Sequence, residues 1–189
     1  LYKNKASAVE GKNFGGTGFL INVPSKVAPG RVYVFAVTNW HVAVKTGHAT
    51  IRINMTNGDV DTFEFEPHEW HFDPRYDIAV IPLALHHGKH AYCLLDLDML
   101  VTKEHAAKIG IGPGDDIFMV GRFVDHDGGK RNVPAVRFGH VSINPAPLLY
   151  EGRLMDSYCL DVHSRTGHSG SPIFVYRING SDLNVVSPK

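Results

Sequence analysis

Gly167-His168-Ser169-Gly170-Ser171-Pro172 sets a serine between glycines, just ahead of the apolar run Ile173-Phe174-Val175-Tyr176. A serine on so tight a turn can present its hydroxyl with backbone N–H groups beside it. Acyl transfer needs those parts: a nucleophile, and amide donors for the oxyanion. Taken alone, the run is equally an ordinary glycine-rich turn. Two other segments supply what a serine nucleophile requires. Val37-Thr38-Asn39-Trp40-His41-Val42 puts a histidine at the end of a β-rich run, and Tyr76-Asp77-Ile78-Ala79-Val80 puts an acid directly before another. An imidazole takes the proton of the serine, and a carboxylate fixes the imidazole tautomer and stabilises the imidazolium. Asp73 is a rival acid, but Pro74 after it reads as a turn, whereas Asp77 adjoins the strand.

The elements that must hold these residues read as short strands separated by polar turns, the pattern of an all-β fold. Strands are predicted at Gly18 to Val23, Arg31 to Val37, Ala49 to Asn54, Val60 to Phe65 and Asp77 to Leu83. Further strands are predicted at Asp116 to Gly121, Ala135 to Ile143, Tyr158 to Val162 and Ser171 to Tyr176. Asn57-Gly58 is a hairpin signal. Gly112-Pro113-Gly114 and Asp127-Gly128-Gly129 punctuate turns. A half-domain boundary is expected between Leu100 and Gly114, with a short helix over Val101 to Ile109.

In that setting four segments resemble the trypsin-like, chymotrypsin-fold serine protease superfamily. They are Gly16-Thr17-Gly18-Phe19-Leu20-Ile21, Thr38-Asn39-Trp40-His41-Val42, Asp77-Ile78-Ala79-Val80 and Gly167 to Pro172, in the order His41, Asp77, Ser169. The likeness is closer to bacterial and viral members than to disulfide-rich secreted trypsins. It implies two antiparallel β-barrels, about residues 1–105 and 110–189, with the active site in the cleft between them. It also implies a serine endopeptidase with the N–H groups of Gly167 and Ser169 as oxyanion hole, acting without a cofactor on a protein or peptide.

The same resemblance places His168 where zymogen-activated members carry an aspartate. Activation through an N-terminal salt bridge is therefore not expected, and control would come through a regulatory partner or fused segment. His163 matches the base of the specificity pocket, as a substrate-binding group or as a wall residue facing elsewhere. Trypsins have an acid there, so preference for Arg or Lys is not expected. Further strands normally follow the nucleophile. Asp182 to Val186 would begin the next one, and more chain is expected beyond Lys189. Two rival readings remain: a catalytically silent module that binds peptides along a β edge, and a protease latent until a partner completes its pocket.

Composition narrows the partners. The 189 residues carry 19 basic and 19 acidic side chains, a formal net charge of zero, which gives no electrostatic case for nucleic acid or an anionic membrane. No apolar run approaches a membrane span. The two cysteines, Cys93 and Cys159, are expected to be buried thiols rather than a disulfide, which leans towards a reducing, cytoplasmic compartment. Among the 12 histidines, His68-Glu69-Trp70-His71 and His86-His87-Gly88-Lys89-His90 have spacings that could bind zinc. They lack matching cysteine pairs and are read as exposed loop residues, so no metal is expected.

Overall fold

The computed structural model describes residues 1–122, 129, 131–150, 152–163 and 167–177. The turn expected at Asp127-Gly128 and the strand expected at Asp182 to Val186 lie outside the described residues. Two compact units divide the chain. The first gathers residues 1–97 with described parts of 121–135 and 165–171; the second gathers 98–120 with described parts of 136–164 and 172–189.

The first unit opens with helix α1, Lys5–Glu10. The Asn4 side chain accepts the Ser7 N–H at 2.9 Å, and Gly11 ends the helix in the left-handed region. Strands β1 (Phe19–Pro24), β2 (Val32–Thr38), β3 (Ile51–Asn54), β4 (Val60–Phe63), β5 (His71–Asp73), β6 (Ile78–Pro82) and β7 (Leu95–Asp96) follow. Five of them form one sheet in the order β5-β6-β2-β1-β7. β3 and β4 pair around the Asn57-Gly58 turn, as the hairpin signal predicts. Ala36, Ala43, Ile51, Trp70, Ala79, Ile81 and Leu83 supply the buried cluster of this unit. On β6 the buried residues Ala79 and Ile81 alternate with the more exposed Ile78, Val80 and Pro82, the period of a strand with one face on a core.

Register within that sheet creates the site. β2 and β6 are antiparallel, with Thr38 opposite Ala79. β2 therefore ends where β6 begins. The segment leaving β2, with His41, and the residue entering β6, Asp77, meet at one end of the sheet.

The second unit contains helix α2, Lys103–Ile109, capped by the Thr102 hydroxyl, and most of a four-stranded sheet. Its strands are β8 (Asp116–Arg122), β9 (Pro134–Tyr150), β10 (Arg153–Val162) and β11 (Ile173–Tyr176), ordered β10-β9-β8-β11. Ile117, Met119 and Val141 are buried. Phe118 stacks on Phe174, with ring centroids 4.8 Å apart, and Phe138 and Tyr176 lie against the same rings. Asp115 pairs with Arg177, whose guanidinium also caps α2 through the carbonyls of Ile109 and Gly110. That pairing holds the Asp115 carboxyl below its usual range.

The structure is mostly β, as the patterning predicts. Among the described residues no sheet closes on itself by hydrogen bonding. The structure differs from the sequence reading in several respects. β9 is far longer than the predicted Ala135 to Ile143, because the stretch after Ile143, through Ala146 to Tyr150, pairs with the start of β10. α1, β5 and β7 were not expected. The two thiols are free but not buried: Cys93 is exposed ahead of β7, and Cys159 is half-buried at a register shift on an edge strand. His90 is buried rather than exposed, because its ring packs beside Phe63 and reaches Asp61. No helix among the described residues is long and apolar enough to cross a membrane.

Candidate active site

Beyond β2 the chain turns through Asn39 and Trp40 into a single π-helical turn, His41–Lys45, closed by the Thr46 N–H on the His41 carbonyl at 2.9 Å. Val42 and Ala43 bury themselves in this turn, while the His41 side chain stays 34% exposed. The imidazole is thus anchored from below and open above. Such π turns are uncommon and occur often at functional positions.

Asp77 faces it from the residue before β6. His41 Nδ1 lies 2.7 Å from Asp77 Oδ2, and the His41 backbone N–H donates to Oδ1 at 2.9 Å. A carboxylate only accepts, so Nδ1 carries the ring proton and Nε2 is left with a free lone pair. The Asp77 carbonyl accepts the Trp40 N–H at 3.1 Å and the Asn39 side-chain amide at 2.8 Å. Asp77 has φ +50°, in the left-handed region where few non-glycine residues sit. Those four bonds over-determine the conformation. Asp73, the rival acid, is engaged elsewhere. Arg75 grips its carboxylate at 2.7 Å and holds its carboxyl below the usual range.

Ser169 belongs to the same unit as His41 and Asp77. Its loop is fastened to the glycine-rich segment before β1. The Thr17 N–H donates to the Ser169 carbonyl at 2.7 Å, and the Thr17 hydroxyl to the Gly167 carbonyl at 3.0 Å. The Ser171 N–H donates to the His168 carbonyl at 2.9 Å. Gly170 has φ +84°, and a Cβ there would overlap the Thr17 carbonyl, so the position takes only glycine. A Cβ on Gly16 would stand 3.0 Å from the Ser169 carbonyl and 2.7 Å from a methyl of Val42. Gly16 therefore lies between the π turn of His41 and the loop of Ser169. Gly167 and His168 are buried and Ser169 is half-buried. Among the described residues, no backbone carbonyl accepts the N–H of Gly167 or of Ser169.

The second unit holds His163, exposed directly after β10. Among the described residues no three His, Cys, Asp or Glu side chains converge as metal ligands would. Sequence reasoning missed Thr17, Thr38 and Asn39 as site residues. Thr17 and Thr38 stood in the recognised motifs, but their partners lie far off in the chain and leave no local signal.

No family model and no curated protein matches the sequence. Solved structures do match the fold. Deg5 superposes with a TM-score of 0.53 at 17% identity, over 85% of this chain and 68% of its own. The MamO protease domain from Magnetospirillum magneticum gives 0.53 at 16%, over 82% and 77%. The HtrA-type protease AlgW with a tripeptide gives 0.51 at 16%, over 91% and 51%. At such identities the likeness speaks for backbone architecture alone. The chain has the chymotrypsin-type fold of the trypsin-like serine proteases.

Proposed function

We propose that this protein is a serine endopeptidase that cleaves peptide bonds through an acyl-enzyme. The observation that carries the reading is the His41–Asp77 pair, held by four hydrogen bonds beside the glycine-bound loop of Ser169. In the reaction Ser169 Oγ attacks the scissile carbonyl carbon while His41 Nε2 takes its proton. The carbonyl π electrons move to oxygen, and the N–H groups of Gly167 and Ser169 stabilise that charge. Collapse expels the amine, which takes the proton from His41, and leaves an ester on Ser169. Water, deprotonated by His41, then hydrolyses the ester and restores the serine. Asp77 keeps the imidazole oriented and stabilises its charged form. The two β-barrels, about residues 1–105 and 110–189, are part of the same proposal, as is His163 as a substrate-binding group. No cofactor enters the chemistry. A fold shared with proteases supports a peptide or protein substrate.

The test is labelling of the full chain with a fluorophosphonate, followed by peptide cleavage. Wild type should label on Ser169. Ser169→Ala should lose labelling and cut peptides slower by on the order of 10⁶-fold, with an unchanged melting curve. Equal labelling of the two proteins, or a folded wild type that never labels, would overturn the proposal and favour a silent peptide-binding module.

A further inference from the structure

We propose that Thr17 is a positioning residue whose hydroxyl sets the orientation of the oxyanion loop; this rests on the acyl-transfer reading above. The Gly167, His168 and Ser169 carbonyls are held in succession. Gly167 accepts from Thr17 Oγ1, His168 from the Ser171 N–H and Ser169 from the Thr17 N–H. In a trans peptide the C=O and N–H point in opposite directions, so fixing a carbonyl fixes the following amide. The Ser171 contact thereby aims the Ser169 N–H. The Thr17 hydroxyl does the equivalent for the peptide between Gly167 and His168, the unit that joins the two oxyanion donors.

That peptide needs outside help. Gly167 has φ +96°, and a glycine passes between backbone regions that other residues find closed. Nothing in its own side chain selects one orientation of the peptide. The hydroxyl does, and its direction is itself determined. The Arg122 N–H, which only donates, reaches Thr17 Oγ1 at 3.4 Å. The Gly167 carbonyl, which only accepts, takes the hydroxyl proton at 3.0 Å.

Thr17 is anchored in turn to the arm that carries the base. Its carbonyl accepts the hydroxyl of Thr38 at 2.7 Å. Thr38 is buried at the end of β2, close before His41 in the chain. Thr17 thus links the strand that delivers the imidazole to the loop that delivers the nucleophile and its amides. A turn hydroxyl that only stabilised the fold would have no reason to connect these two arms.

The experiment measures fluorophosphonate labelling at several probe concentrations, because the phosphoryl oxygen of the probe must be received by the same amides. Thr17→Val keeps the shape and the backbone N–H but removes the hydroxyl. Its maximal labelling rate should fall about 10- to 100-fold, below the loss typical for deleting an oxyanion donor outright. The half-saturating probe concentration should stay within about 2-fold, since ground-state binding does not use these amides. Thr17→Ser, which restores the hydroxyl, should return to within about 3-fold of wild type. If Thr17→Val does not fold, Thr17→Ala against Thr17→Ser gives the same comparison. A hydroxyl-free variant that labels at the wild-type rate would overturn the inference, as would a serine variant no better than valine or a change confined to half-saturation. In each case wild-type labelling on Ser169 would leave the peptidase reading standing.

Discussion

Asp77 does two jobs with two groups. Its carboxylate receives both N–H groups of His41, and its carbonyl receives Trp40 and Asn39. The left-handed backbone that allows this costs on the order of 1–2 kcal/mol per L-residue, less for aspartate, and the four bonds offset it. Replacing Asp77 by Asn keeps the size but brings an amide that can hold the imidazole in the other tautomer, with the proton on Nε2. We expect peptide cleavage to fall on the order of 10⁴-fold, the size of loss that the wrong tautomer can bring to such a triad. Asp73→Asn removes the charge of an exposed pair with Arg75, away from His41, and should leave the rate within about 2-fold. Side-by-side cleavage rates decide it. A larger loss at Asp73 would mean that the wrong acid has been paired with His41.

At the scale of elements, the β3–β4 hairpin is tied to the following segment through one carboxylate. Asp61, on β4, takes Lys89 and the His90 Nε2–H, while His90 Nδ1 accepts the His86 N–H at 2.9 Å. Hydrogen bonds from Lys89 first, and then His90, lower the Asp61 carboxyl from 3.8 to about 2. A carboxyl depressed by folding stabilises the native state above its unfolded value, and that stability is lost as pH falls through the folded value. The loss should therefore run from about pH 4 down towards pH 2. After screening of this partly exposed group it should amount to on the order of 1 kcal/mol. Urea melts of wild type and Asp61→Asn should differ at pH 6 and converge near pH 2. A gap that persisted unchanged at low pH would rule out this ion pair as its source.

For the whole molecule, the useful quantities are charge and the distribution of chemistry between the two units. The chain is formally neutral, so it exerts no general pull on basic peptides. His163, at the position the resemblance assigns to the pocket base, is exposed and is not an acid. We expect that Arg and Lys are not the preferred residues before the cut. A peptide library digested by the full-length protein and read by mass spectrometry provides the check. Dominant cleavage after Arg or Lys would refute the expectation and require an acidic group from another part of the chain.

The sequence alone determined the candidate chemistry, because that signal is local. Glycines beside Ser169, an apolar run ending before His41 and another starting after Asp77 each reflect short-range backbone geometry. Asn57-Gly58 located its hairpin for the same reason. Whatever depends on contacts between distant segments was decided only by the tertiary structure. The register of Thr38 against Ala79 brings His41 to Asp77, while Arg75 takes up the Asp73 carboxylate. Thr17 meets Gly167 across 150 residues of chain, a pairing that no window of sequence contains. Burial followed the same rule. His90 went inside because Phe63 and Asp61 offered it packing and a partner, whereas Cys93 is exposed. A residue type sets what a side chain can do, and the neighbours brought by folding select which of those options is realised.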